Sequence, residues 1–109
     1  MRAFLILLLF TGLAAAAEVP TVDIIGLGHA HVWGHLRELL KSDQVRLAGI
    51  AEPNAELAAE AKKSGAPDNI FYTDYRKMLS ETKPNIVWAF VENNRHLEIV
   101  QACAPLGIE

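Results

Sequence analysis

Cysteine is nearly absent. Cys103 is the only one in 109 residues, so no intrachain disulfide can form. It falls in the apolar pattern of the last helix-like run, where a thiol behaves as a small buried hydrophobe. No run of Lys or Arg occurs anywhere and the formal charge is −3, so the electrostatic footprint of a nucleic-acid binder is missing. Any bound phosphate would be held by backbone N–H groups and a helix dipole more than by cationic side chains. There is no internal repeat and no low-complexity segment. What remains is a chain that is 51% apolar with mixed charge, the composition of one globular domain.

The first residues read as a targeting segment, not as part of the fold. Met1-Arg2 is a short positive start, Ala3 to Leu13 is apolar, and Ala14 to Ala17 supply the small residues of a cleavage site. The apolar stretch of roughly 15 residues is shorter than the roughly 18 of a membrane-spanning helix. A signal peptide over residues 1–17 is therefore expected, with cleavage after Ala17 or one residue earlier and a periplasmic or extracellular destination. An uncleaved anchor, a buried N-terminal helix and a start codon placed too early on a cytoplasmic enzyme are the alternatives. No twin-arginine pair is present and no Cys follows the apolar block, which favours export of an unfolded chain and argues against a lipoprotein.

From Thr21 onward two textures alternate. Strand-like runs occupy Val22–Ile25, Val45–Ala51, Ile70–Tyr72 and Ile86–Phe90, rich in Ile, Val and aromatics. Between them, Val32, Leu36, Leu39 and Leu40 recur on one helical face. Ala55–Lys63 follows Asn54 as N-cap and stops at Ser64-Gly65, and Tyr75–Glu81 follows Thr73-Asp74. Arg95–Leu106 follows Asn93-Asn94 and ends at Gly107. Such alternation predicts an α/β fold, a Rossmann-like parallel sheet with helices on both faces. Gly107-Ile108-Glu109 reads as a turn into a fifth strand, so the sheet is incomplete and the chain reads as a fragment of a longer protein.

The richest segment is the turn Gly26-Leu27-Gly28-His29-Ala30-His31, which follows an apolar strand and opens a helix. In a dinucleotide-binding βαβ unit the first Gly permits the tight turn, the second lets backbone approach a pyrophosphate, and the helix N-terminus faces the anion. Glu52 closes the second apolar run, slightly beyond the roughly 20-residue spacing of the acidic residue that binds the adenosine ribose. Its charge would repel a 2′-phosphate, favouring NAD over NADP. His29, directly after the second Gly, is the imidazole best placed beside a pyrophosphate. His31 and His35 lie at i, i+4, but no Cys or suitably spaced carboxylate completes a metal site, so no metal is expected. Trp33 and Trp88 read as packing residues, and Glu56, Glu60 and Lys63 as a solvated helix face.

Taken in order, Asp23–Gly28, Gly34-His35-Leu36, Gly49-Ile-Ala-Glu-Pro53, Tyr72-Thr-Asp-Tyr75, Met78-Leu79, Lys83-Pro84-Asn85 and Asn93-x-x-His96 resemble the N-terminal domain of the glucose–fructose oxidoreductase and inositol dehydrogenase (Gfo/Idh/MocA) family. The resemblance covers nearly all of residues 18–109. It implies the NAD(P)-binding part of an exported oxidoreductase for a sugar, cyclitol or related polyol, homo-oligomeric when full length. It also implies contacts from Asn93 and His96 on the nicotinamide side; the residues alone read Asn93 as a cap of the fourth helix and His96 as a surface histidine. The chain departs from the family pattern in several places. His31 takes the third small position, which transfers close helix–strand packing to Gly34. Glu52 replaces Asp, and Val91-Glu92-Asn93 replaces Thr-Pro-Asn. The catalytic Lys of a Glu-Lys-Pro motif and the His of an α/β substrate domain match nothing in residues 1–109, so catalytic residues are expected elsewhere. A non-catalytic exported protein that uses the same fold to bind a sugar or nucleotide is the competing expectation.

The leader predicts its own test. Protein recovered from its native host should begin near Glu18 on N-terminal sequencing; soluble cytoplasmic protein that retains Met1 would refute cleavage and export.

Overall fold

The computed structural model describes residues 18–109, and the leader expected over residues 1–17 lies outside the described residues. Four strands form one sheet in the order β3-β2-β1-β4. β1 (Thr21–Ile25) lies between β2 (Arg46–Ala51) and β4 (Ile86–Ala89), and the short β3 (Phe71–Tyr72) forms one edge. All three pairings are parallel, as expected of strands joined by helical crossovers. The helices are α1 (Val32–Lys41), α2 (Ala55–Lys63), α3 (Tyr75–Thr82) and α4 (His96–Cys103).

β1 shows why the sheet is covered twice. Its side chains alternate between faces: Val22 and Ile24 pack with Val32, Leu36 and Leu39 of α1 and Ala61 of α2, and Ile25 packs with Met78 and Leu79 of α3 and Ile99 and Cys103 of α4. Each helix contributes an apolar stripe to one of these two cores. Cys103 is buried as expected, and burial pushes its thiol pKa up. Gly107, at φ 69°, turns the chain back to the sheet, where the Val87 N–H donates to the Glu109 carbonyl at 2.7 Å and the Glu109 N–H to the Asn85 carbonyl at 3.1 Å. Glu109 thus bonds to the outer edge of β4.

Three local expectations meet different outcomes. Asn54 caps α2, its side chain accepting from the Glu56 and Leu57 amides, and Asp74 caps α3 by accepting from Arg76. Asn93 does not cap α4. A 3₁₀ turn over Asn93–Arg95 intervenes, so α4 starts at His96 with Arg95 at its N-cap and no side-chain cap bond. Gly34 does not provide the close helix–strand packing either. It lies opposite the Val32–Leu36–Leu39 stripe, and a Cβ there would meet nothing within 4 Å. The close approach occurs at Gly49 of β2, where a Cβ would lie 2.8 Å from Met78 Cγ and Sδ and 3.0 Å from Asp23 Oδ1. Just before it, the β1–β2 register skips from Leu47 to Gly49.

Asp23 is the costly residue of this core. It is fully buried, Oδ1 has no hydrogen-bond partner, and Oδ2 bonds only to the Thr82 hydroxyl. Thr82 has one proton and two acceptors in reach, since Oγ1 also lies 2.9 Å from the Met78 carbonyl. A protonated Asp23 resolves the conflict by donating to Thr82, which then donates to Met78. Burial raises the Asp23 pKa from 3.8 to about 6, against the lowering effects of Thr82 and Arg46.

The raised value sets a sign. The folded chain holds this proton more tightly than the unfolded chain, so its contribution is complete below about pH 4 and is lost as pH rises through about 6. Denaturant melts of the full-length protein should show stability falling by up to about 3 kcal/mol across that window. Asp23→Asn, whose amide donates as the neutral acid does, should remove this slope and be more stable at pH 7.5; an unchanged slope would refute the assignment.

Candidate cofactor site

The C-terminal ends of β1, β2 and β4 open into one cleft of about 410 Å³. Ligands of open parallel α/β sheets bind at this end. Gly26 makes the turn possible. Its φ is +85°, its amide donates to the Ala51 carbonyl at 2.9 Å, and a Cβ would lie 2.7 Å from both the Phe90 carbonyl oxygen and Val91 Cγ1. The fold itself requires glycine here. Gly28 is different. Its φ is ordinary, it is exposed, and a Cβ would meet only the Phe90 oxygen at 3.9 Å. No packing demands the missing side chain; what it leaves is open space along the cleft wall.

α1 begins immediately afterwards. No side chain caps its N-terminus and no acidic residue stands in its first turn, unlike α2 and α3 with their Asx caps. The positive end of its dipole is therefore not compensated locally. His31 occupies the N-cap position in αR conformation without a side-chain cap bond. His35 packs its ring against Trp88 at 5.3 Å and Phe90 at 5.8 Å. Among the described residues no three His, Cys, Asp or Glu side chains converge on a point that could hold a metal.

Glu52 crosses beneath the turn. Only 9% exposed, it accepts from the Leu27 amide through Oε1 at 2.9 Å and from the Asn54 amide through Oε2 at 3.2 Å. Each oxygen keeps a further lone pair for a ligand hydroxyl. The buried charge is thus satisfied by amides from two separate turns. His29 Nε2 lies 2.8 Å from the Val91 carbonyl oxygen and His96 Nε2 lies 3.3 Å from the same atom.

Gly26, Gly28, His29 and Glu52 line the cleft together. The other candidates do not. Leu27 turns its side chain into the core and presents only its amide to Glu52. Ala30 and His31 are exposed beyond the cleft, Asn93 is exposed on the 3₁₀ turn, and His96 faces a neighbouring groove with Val87 and Ile99.

Sequence reasoning missed Thr73, Tyr75 and Arg95, which also line the cleft. The Tyr75 hydroxyl donates to Glu98 Oε2 at 3.0 Å and Arg95 Nε donates to Glu98 Oε1 at 2.8 Å. Arg95 also lies 3.8 Å from Glu92, as does Arg76 from Glu98. These contacts hold the Glu98 carboxyl below its usual range, Arg95 first, while burial and then Glu98 push the Tyr75 hydroxyl up. The i, i+3 pair Arg95–Glu98 is visible in sequence; its joining to Tyr75, on another helix, is not.

Comparison with known proteins agrees with this geometry. Residues 21–109 match the family GFO_IDH_MocA, described as an oxidoreductase family with an NAD-binding Rossmann fold. No curated protein matches the chain. Similar solved structures include scyllo-inositol dehydrogenase from Lactobacillus casei with bound NAD(H) and scyllo-inositol, at TM-score 0.69 and 18% identity over 84% of this chain and 27% of that one. Myo-inositol 2-dehydrogenase from Lactobacillus plantarum gives TM-score 0.68, 18% identity and the same coverage. An oxidoreductase from Bacillus cereus gives TM-score 0.65 and 24% identity over 83% of this chain and 25% of that one. The chain thus spans about a quarter of the length of these structures. By its match over residues 21–109, the chain belongs to the Gfo/Idh/MocA oxidoreductase family and supplies that family's NAD-binding Rossmann fold.

Proposed function

We propose that the cleft binds NAD and that the chain is the cofactor-binding portion of an exported oxidoreductase acting on a sugar, cyclitol or related polyol. The observation that carries this reading is the contrast between the two glycines. Gly26 is demanded by the fold, whereas Gly28 has room for a side chain and none is there. A bare backbone beside an uncapped helix N-terminus is what close approach of a pyrophosphate requires.

The remaining residues orient and select. Glu52, held by two amides, has lone pairs left for ribose hydroxyls and a charge that opposes a 2′-phosphate. Arg95, the cation nearest to hand, is already engaged by Glu98 and Glu92. With that cation neutralised, NAD is favoured over NADP. The bound nicotinamide would supply hydride transfer, and the residues here place it. The polyol substrate class rests on the likeness to inositol dehydrogenases, and export on the composition of Met1–Ala17.

In the full-length protein, Gly28→Val should leave the melting temperature within a few degrees of wild type and abolish NAD binding in calorimetry. NADP should bind wild type on the order of tenfold or more weakly than NAD. Unchanged NAD affinity in a folded Gly28→Val protein would make the turn purely structural and refute the cofactor reading.

A further inference from the structure

We propose that His29 is a positioning residue, whose imidazole pins the loop after β4 to the Gly-x-Gly turn and so fixes where that loop's cleft-lining residues stand. The inference rests on the NAD reading above and adds the element that fixes the loop after β4 beside the Gly-x-Gly turn.

The geometry is specific. A backbone carbonyl only accepts, so His29 Nε2, 2.8 Å from the Val91 oxygen, must carry the proton and donate it. This bond joins positions 62 residues apart in sequence. The same turn grips Val91 a second time, because Val91 Cγ1 occupies the place that a side chain on Gly26 would need. Val91 is thus held through its methyl group at one end of the turn and through its carbonyl at the other. His96 Nε2 takes the second lone pair of that carbonyl at the longer distance of 3.3 Å. His96 is only five residues on, so its bond tightens the loop internally, whereas the His29 bond joins the loop to the Gly-x-Gly turn.

The loop depends on this tether. After Val91, the residues Glu92, Asn93 and Asn94 are exposed, and the turn is closed by the Arg95 amide donating to the Glu92 carbonyl at 2.9 Å. Arg95 and Glu92 both line the cleft. A tethered loop needs no further ordering when a ligand arrives, which is where preorganisation improves affinity.

The test uses the full-length protein with His29→Leu, which removes the donor, His29→Gln, which keeps an N–H near the Nε2 position, and His29→Ala should Leu fold poorly. Two readouts are taken: hydrogen exchange of the Arg95 amide, which closes the loop's turn, without nucleotide, and the Kd for NAD by calorimetry. The Leu or Ala variant should exchange about 3- to 10-fold faster in this loop and bind NAD weaker by a similar factor, the range a single net hydrogen bond supports. The Gln variant should stay within about twofold of wild type on both. Unchanged loop exchange in Leu and Ala would overturn the tether. Faster exchange with unchanged NAD affinity would overturn its positioning role, and failure of Gln to rescue would overturn the donor assignment. Wild-type protein that binds no NAD would refute the cofactor reading and the positioning role with it, while the exchange data would still decide the tether.

Discussion

The chain leaves β1 through a gap that admits no side chain. At Gly26 the Phe90 carbonyl and the Val91 methyl stand where a Cβ would be, and the backbone turns through positive φ to pass them. The turn and the loop after β4 are therefore in contact before any ligand is considered. Because Gly26 is set so deeply, the next residues emerge along the top of the sheet: Leu27 drops into the core, Gly28 faces the cleft, and α1 starts three residues after His29. The Glu52 clamp, the His29 bond and the exposed Gly28 backbone all depend on that single close approach.

Two buried carboxylates show how differently this fold treats charge. Glu52 sits at a strand end, where unpaired amides from two turns converge on it, so its ionised form is satisfied. Asp23 lies mid-strand, where the backbone amides are already used by the ladder, and a threonine hydroxyl is its one partner. The first arrangement suits a hydrogen-bond acceptor held in place at a binding site. The second favours the neutral acid and costs stability as pH rises.

Much of the fold was legible from local pattern. The spans of α2 and α3, the Asn54 and Asp74 caps, and the four strand positions follow from period, capping chemistry and turn residues acting within a few residues of each other. β4 ends one residue before the expected Phe90, although the Phe90 amide still bonds to Ile25 at 2.8 Å. α4 gives way to a 3₁₀ turn at Ala104, where Pro105 withholds an amide from the helix ladder. Gly34 and Asn93 were misread because a small residue or a capping residue shows what a position permits. Whether a neighbour or a helix amide lies within reach is decided elsewhere in the chain.

The sequence by itself determined the alternation of strands and helices, the Gly-x-Gly turn, the acidic strand end and the family, because each is written in residues adjacent along the chain or spaced by a fixed period. Tertiary structure alone decided which glycine the fold needs and which it leaves open, that close packing falls on Gly49, and that Tyr75, Glu98 and Arg95 form one network. It alone also brought His29 to Val91. Those outcomes depend on distances between segments tens of residues apart, set by parallel crossovers that bring strand ends together and by cores that admit one arrangement of side chains between them.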